Sequence, residues 1–254
     1  MMKKRYFLFT LFIFFVSISF AQQPTIPTPT LRVAVDQFAP PFCMRAANQQ
    51  LFGYDVDMLK IICKEINRNC QFQPMPFKDI IPSLLSDKAD IGIGAIAITP
   101  ERAKEVLFSK PYLPSFSQFL AQRKHAEQPF SLTNLANKLI GVEEGTVFKS
   151  LVTLLGIKNP NVIIFRSEDE MIDALGEEEL DYILLDAATA RFWSIKASSH
   201  VRTVGEPLPY AYGLGIAVNP KEINLLPAIN DAITKFQNSP DFKQHYMTYF
   251  GSGQ

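Results

Sequence analysis

Along nearly its whole length the chain alternates short apolar runs that read as strands with stretches of helical periodicity, and this restricts it to the α/β class. Leu31-Arg-Val-Ala-Val35 opens the series as a strand, followed by an amphipathic helix from Asp55 to Ile66 and a strand near Cys70 to Gln73. Asp79 to Ser86 reads as a short helix and Asp90 to Ala97 as a buried strand whose glycines permit close backbone approach. Thr99-Pro100 has the chemistry of a helix start, with Thr as N-cap and Pro at the first position. A second set begins near His125: strands at Lys138 to Val142, Val162 to Phe165 and Tyr182 to Asp186, with Ser167-Glu-Asp-Glu170 as a capping box for the helix to Leu175. Tyr212 to Val218 is again strand-like, and helices from Leu225 to Gln237 and Pro240 to Tyr249 close the chain. The pattern predicts two α/β units with a C-terminal helix pair.

The amino terminus does not fit that pattern. Lys3, Lys4 and Arg5 precede an apolar run from Tyr6 to Phe20, and Ser19-Phe20-Ala21 offers small residues for cleavage, the layout of a secretory signal peptide over residues 1–21. Fifteen apolar residues are too few for a bilayer span of about 20. Residues 22–30 are Pro/Thr-rich and are expected to be an unstructured lead-in. The full chain has 25 basic and 25 acidic residues; without the leader 22 basic remain against 25 acidic, a formal charge of −3. That disfavours a nucleic-acid partner, which calls for a basic surplus.

An exported chain meets oxidising conditions, which makes its three cysteines disulfide candidates. An unbroken helix from Cys63 to Cys70 would hold their Cα atoms roughly 10 Å apart, beyond a disulfide's reach of about 7 Å. A Cys63–Cys70 bridge therefore requires the helix to end at Asn67-Arg68-Asn69, where asparagine accepts the left-handed cap conformation. Cys43 is left over and reads as a shielded thiol, with no histidine nearby in sequence to activate it.

Several positions carry chemistry in more than one reading. Arg102 falls near a helix start, where the dipole disfavours a cation; it is either a bidentate carboxylate clamp or a surface partner of Glu101 or Glu105. Gly141-Val-Glu-Glu-Gly-Thr146 is a plain strand-to-helix turn or an anion cradle, without the lysine of a phosphate loop. Asp186 ends an apolar strand, where ligands of open α/β sheets bind, and is either an ammonium acceptor or an N-cap. Asp36 has the same placement, and Phe38, Phe42 and Phe77 are candidates for an apolar wall or for core. His125, His200 and His245 show no metal-ligand spacing, and no nucleophile elbow exists.

Taken in order, Leu31-Arg-Val-Ala-Val-Asp36, Pro40-Pro41-Phe42, Gly53-Tyr-Asp-Val-Asp57, Ile98-Thr-Pro-Glu-Arg102, Pro111-Tyr112, Gly145-Thr146 and Tyr212-Gly-Leu-Gly-Ile-Ala217 resemble the type 2 periplasmic binding proteins of ABC importers, solute-binding family 3. The resemblance implies two lobes, residues 31–118 with 214–254 and residues 119–213, each a sheet flanked by helices and joined by two hinge strands. It implies a free amino acid as ligand, an ABC permease of the inner membrane as partner, a periplasmic monomer, and neither cofactor, metal nor catalytic residue. It would make Arg102 the α-carboxylate clamp with Thr146, and Asp186 the α-ammonium acceptor beside the backbone of Gly94 and Ala95. Phe77 would lie against the ligand side chain, and Asp36 and Glu143 would favour a basic one such as arginine or lysine. The Cys63/Cys70 pair is similar to a bridge in the branch that binds lysine, arginine, ornithine and histidine. Ala97 and Ala39 depart from the family pattern, which has a hydroxyl and an aromatic there. A cyclohexadienyl dehydratase on the same scaffold, or a sensor subunit binding the same ligand, are the alternative expectations.

Overall fold

The computed structural model describes residues 28–127 and 129–251. The leader at 1–21 and most of the expected lead-in lie outside the described residues; Thr30 already pairs with Asn69, so the lead-in stops short of its expected end at residue 30. The chain runs β1 (Thr30–Asp36), a small hairpin of β2 (Met44–Arg45) and β3 (Leu51–Phe52), α1 (Tyr54–Glu65), β4 (Asn69–Met75), α2 (Ile80–Leu85), β5 (Ile91–Ile93) and β6 (Leu107–Phe108). It then crosses into β7 (Phe116–Gln122), α3 (Arg123–Ala126), β8 (Leu139–Glu143), α4 (Phe148–Leu154), β9 (Asn161–Phe165), α5 (Glu168–Gly176), β10 (Tyr182–Asp186), α6 (Ala187–Lys196) and β11 (Val201–Pro209). It returns through β12 (Ala217–Val218) to α7 (Leu226–Gln237) and α8 (Pro240–Phe250).

Two five-stranded sheets result, ordered β4-β1-β5-β12-β6 and β11-β7-β10-β8-β9, each the centre of one lobe. Strand periodicity explains how each sheet is covered on both faces. In β1, Val33 and Val35 join the core built with α1 and α7, while Ala34 turns to the opposite face with Ile80 and Leu84 of α2. In β10, Tyr182 and Leu184 face one core and Ile183 and Leu185 the other, which α5 closes with Met171 and Leu175. Between the lobes run two adjacent antiparallel segments, tied by Leu214 N–H to the Leu113 carbonyl at 2.8 Å and Tyr210 N–H to the Ser115 carbonyl at 3.2 Å. This is the two-lobe fold with two hinge strands.

Three elements differ from the sequence expectation. The strand expected over Asp90 to Ala97 stops at Ile93, because Gly94 (φ 138°) and Ala95 (φ 49°) leave the extended region. The strand expected from Tyr212 shrinks to Ala217–Val218, with Leu214 making isolated bridges to Ala97 and Leu113. The helix expected after Thr99-Pro100 is a single 3-10 turn, Arg102–Lys104.

Cys63 and Cys70 are bridged, with Cα atoms 6.1 Å apart. α1 ends at Glu65 and Asn67 takes a left-handed φ of 53°, which turns Cys70 back towards the helix. Replacing both cysteines by serine is expected to cost about 2–3 kcal/mol of stability from the lost constraint on a short loop, read by chemical denaturation. An unchanged midpoint would refute that role. Cys43 is a free, buried thiol whose burial pushes its pKa up, which disfavours the thiolate form.

Candidate functional site

The carboxyl ends of four strands converge between the lobes. Asp36 is the last residue of β1, Gly94 and Ala95 follow β5, Glu143 ends β8 and Asp186 ends β10. These ends are where an open α/β sheet presents ligand-binding groups. The loops they begin enclose a cavity of ≈ 430 Å³ including its mouth. All nine residues singled out for ligand contact, namely Asp36, Phe77, Gly94, Ala95, Ala97, Arg102, Glu143, Thr146 and Asp186, line it.

The close approach of β1 and β5 depends on glycine. A Cβ on Gly94 would stand 2.8 Å from the Asp36 Cβ. Ala95 N–H donates to Asp55 Oδ2 at 2.8 Å, as does the Tyr112 hydroxyl at 2.8 Å, so a buried carboxylate fixes the loop that lines the cavity floor. Gly145 serves the other lobe: its φ is 83°, and a Cβ there would meet the Lys78 Cα at 2.7 Å.

Arg102 reaches across the cleft. Its guanidinium donates to the Ala97 carbonyl at 2.9 Å and to the Gly145 carbonyl of the other lobe at 3.0 Å, and it lies 5.3 Å over the Phe77 ring. Burial lowers its pKa, with the negative charge of Asp186 acting in the opposite sense. Lys78 and Glu144 pair across the same seam at 2.9 Å, and Phe38 meets Trp193 edge-on at 6.3 Å. The lobes are closed on one another.

Asp186 stands at the N-cap position of α6, yet its carboxylate does not cap that helix. It accepts from the Tyr210 hydroxyl at 2.6 Å. Burial raises its pKa to about 7. Asp36 accepts from Phe38 N–H at 3.1 Å and is also raised by burial, as is Glu143. The Thr146 hydroxyl donates to the Glu143 carbonyl at 2.7 Å. Of the aromatic candidates, Phe77 lines the cavity; Phe38 packs on Trp193, and Phe42 is core, 5.6 Å from Phe250. Ala39 lines the cavity too.

The structure adds residues the sequence did not single out as cavity residues. Tyr210, Thr189, Phe148 and Glu168 line the same cavity. In the sequence Glu168 is marked only as part of a helix start, and Ser167 does cap α5 by accepting Glu170 N–H at 3.4 Å. Tyr210 carried no sequence signal, because its role depends on hinge geometry. Among the described residues, Arg102 is the single basic one in a lining that holds four carboxyl groups: Asp36, Glu143, Glu168 and Asp186. Among the described residues no group of three His, Cys, Asp or Glu is arranged to hold a metal ion. Also among them, no helix is long and apolar enough to cross a membrane.

Residues 31–252 match the family model of bacterial extracellular solute-binding proteins, family 3. The chain is 30% identical over 227 residues to a putative ABC transporter arginine-binding protein 2 of Escherichia coli (strain K12), covering 87% of this chain and 90% of that protein. It is 31% identical over 224 residues to an arginine-binding periplasmic protein of Mannheimia haemolytica, covering 86% and 90%. Among solved structures, an ancestral arginine-binding protein bound to arginine superposes with a TM-score of 0.79 at 31% identity, over 87% of this chain and 98% of that one.

Proposed function

The chain belongs to family 3 of the bacterial extracellular solute-binding proteins, and on that premise we propose that it captures a free basic amino acid in the periplasm, arginine foremost, for delivery to an ABC importer. The observation that carries this reading is the charge layout of one cavity between the lobes: a guanidinium and an opposed carboxylate, with further carboxyl groups beyond them. Every amino acid presents an α-carboxylate and an α-ammonium. Arg102 takes the first as a bidentate donor, exchanging its present carbonyl acceptors for the ligand, and Thr146 adds a hydroxyl. Asp186 takes the second, held in place by Tyr210, with the Gly94–Ala95 backbone beside it.

Ala97 removes one side-chain donor that the family pattern would supply, which leaves more of the carboxylate to Arg102. Phe77, with the Arg102 guanidinium over its ring, gives the ligand side chain an apolar wall. Asp36 and Glu143 then meet its cationic end. In this reading the lobes divide in the hinge segments, ahead of β7 and at 213/214, because the expected break at 118/119 would cut β7, which pairs with β10 and β11 of the second lobe; closure about the hinge strands desolvates both charged ends of the ligand. The relatives are binding proteins of transport systems, and the same role, as a monomer docking on a permease, is the one proposed here.

A thermal-shift screen of ligand-stripped protein against the twenty amino acids, ornithine and citrulline tests the reading. A ligand at a hundred times its dissociation constant adds about 2.7 kcal/mol. Arginine is expected to give the largest shift and acidic amino acids none. If no amino acid raises the melting temperature, the proposal fails.

A further inference from the structure

Glu168 is the residue of the cavity that neither the opposed Arg102–Asp186 pair nor the fold accounts for. It is the first residue of α5 and is 3% exposed, a burial that a glutamate at a helix start does not need. One carboxylate oxygen accepts from the Trp193 indole N–H, and the residue lines the cavity. The charges acting on it are all negative: Glu143 at the end of β8, Asp36 at the end of β1, and Asp169 beside it on α5. The Arg102 charge acts on Asp186 instead. Trp193 in turn lies edge-on to Phe38, whose own N–H holds Asp36. Closure therefore places carboxylates of both lobes around one end of the cavity, with Trp193 as the shared support.

We propose that Glu168 is a specificity-determining residue that reads a guanidinium on the ligand side chain, and that Trp193 is its positioning residue. The inference rests on the amino-acid-binding reading above. A planar guanidinium offers five N–H donors in a fixed fork, which suits several carboxylates better than an ammonium's three. Burial pushes the Glu168 pKa up, so the empty cavity tolerates the group as a neutral acid, and an entering cation favours its charged form.

The test compares arginine with citrulline, a neutral isostere, by calorimetry on the full mature protein. Glu168→Gln keeps an acceptor for Trp193 and removes only the charge. It is expected to weaken arginine by roughly tenfold to a hundredfold and citrulline by less than about threefold. Trp193→Phe is expected to weaken arginine selectively as well, and to make the Glu168→Gln change smaller when the two are combined. Should Glu168→Gln fold poorly by circular dichroism, Glu168→Asp, which keeps charge but withdraws it, must show the same selective loss. Equal weakening of both ligands, or no weakening of arginine, overturns this inference while leaving amino-acid binding intact. Failure of the wild type to bind either ligand or any other amino acid overturns both readings.

Discussion

Arg102→Ala is expected to weaken arginine binding on the order of a hundredfold to a thousandfold, because it strips the buried α-carboxylate of the one cationic partner that the described residues place in the cavity lining. The substitution also cuts a link between the lobes, since the same guanidinium donates to the Gly145 carbonyl. Those two effects separate with a second ligand. Agmatine has arginine's side chain and amine but no carboxylate, so it keeps the guanidinium end and never contacts Arg102 through a salt bridge. If Arg102 acts as a clamp, Arg102→Ala lowers the affinity for arginine and leaves the weak affinity for agmatine nearly unchanged. If its main work is holding the lobes together, both ligands suffer alike. Arg102→Lys preserves charge but not the fork, and an intermediate loss is expected. Titration calorimetry of the three proteins with both ligands reads each outcome directly, and full arginine affinity in Arg102→Ala would remove the clamp from the proposal.

How much of this site could be read beforehand follows from where each residue's role is encoded. Asp36 and Asp186 are legible because they end apolar runs, and the end of a strand is a position visible in one dimension, whereas Glu143 lies one residue past the expected strand and gains its role only from the family resemblance. Gly94 falls inside the strand expected to run to Ala97 and enters the site only through the family resemblance; what it opposes, the Asp36 Cβ, is not visible in the sequence. The two second-lobe strands that continue from the hinge, β7 and β11, escaped the reading of the residues. Phe116–Gln122 is buried on both faces along most of its length and so shows no alternation. Val201–Pro209 contains Gly205, Pro207 and Pro209, which read as turn residues; it survives as a strand because it lies at the sheet edge, with an irregularity between Val204 and Leu208.

Arg102 shows the converse. The helix-dipole argument leaves its role open between a carboxylate clamp and a surface ion pair, only the family resemblance favours the clamp, and the helix is one 3-10 turn. What places the guanidinium is the Ala97 carbonyl, five residues back, and the Phe77 ring on another loop. Glu168 was hidden by its own plausibility, because acidic residues in a first helical turn are ordinary. Only its burial against Trp193 distinguishes it from Asp169 and Glu170, and burial of one residue in such a trio is decided by α6, far along the chain.

The ligand-free protein is expected to lose stability as pH rises from 5 to 8, opposite to the behaviour of a protein held by salt-bridged carboxylates. Asp55 and Asp186 have pKa values raised by burial from 3.8 to about 7, and Asp36, Glu143 and Glu168 are raised by burial as well. Between the ordinary carboxylate range and these raised values the folded state keeps protons that the unfolded chain has released. Stability therefore falls through that window, by about 1.4 kcal/mol per pH unit for each group still protonated, and levels off above it. For Asp55 and Asp186 the decline ends near pH 7. A melting-temperature drop of roughly 10 °C from pH 5 to 8 is expected after ligand is stripped by unfolding and dialysis. Saturating arginine should flatten the profile, since its cations favour the charged forms of the cavity carboxylates, and the arginine-induced shift should grow with pH. A rising profile without ligand, or a shift independent of pH, would contradict the account. Asp55→Asn divides the two contributions: Asp55 supports the Ala95 backbone without lining the cavity, so its removal should shallow the ligand-free slope and leave the growth of the arginine shift in place.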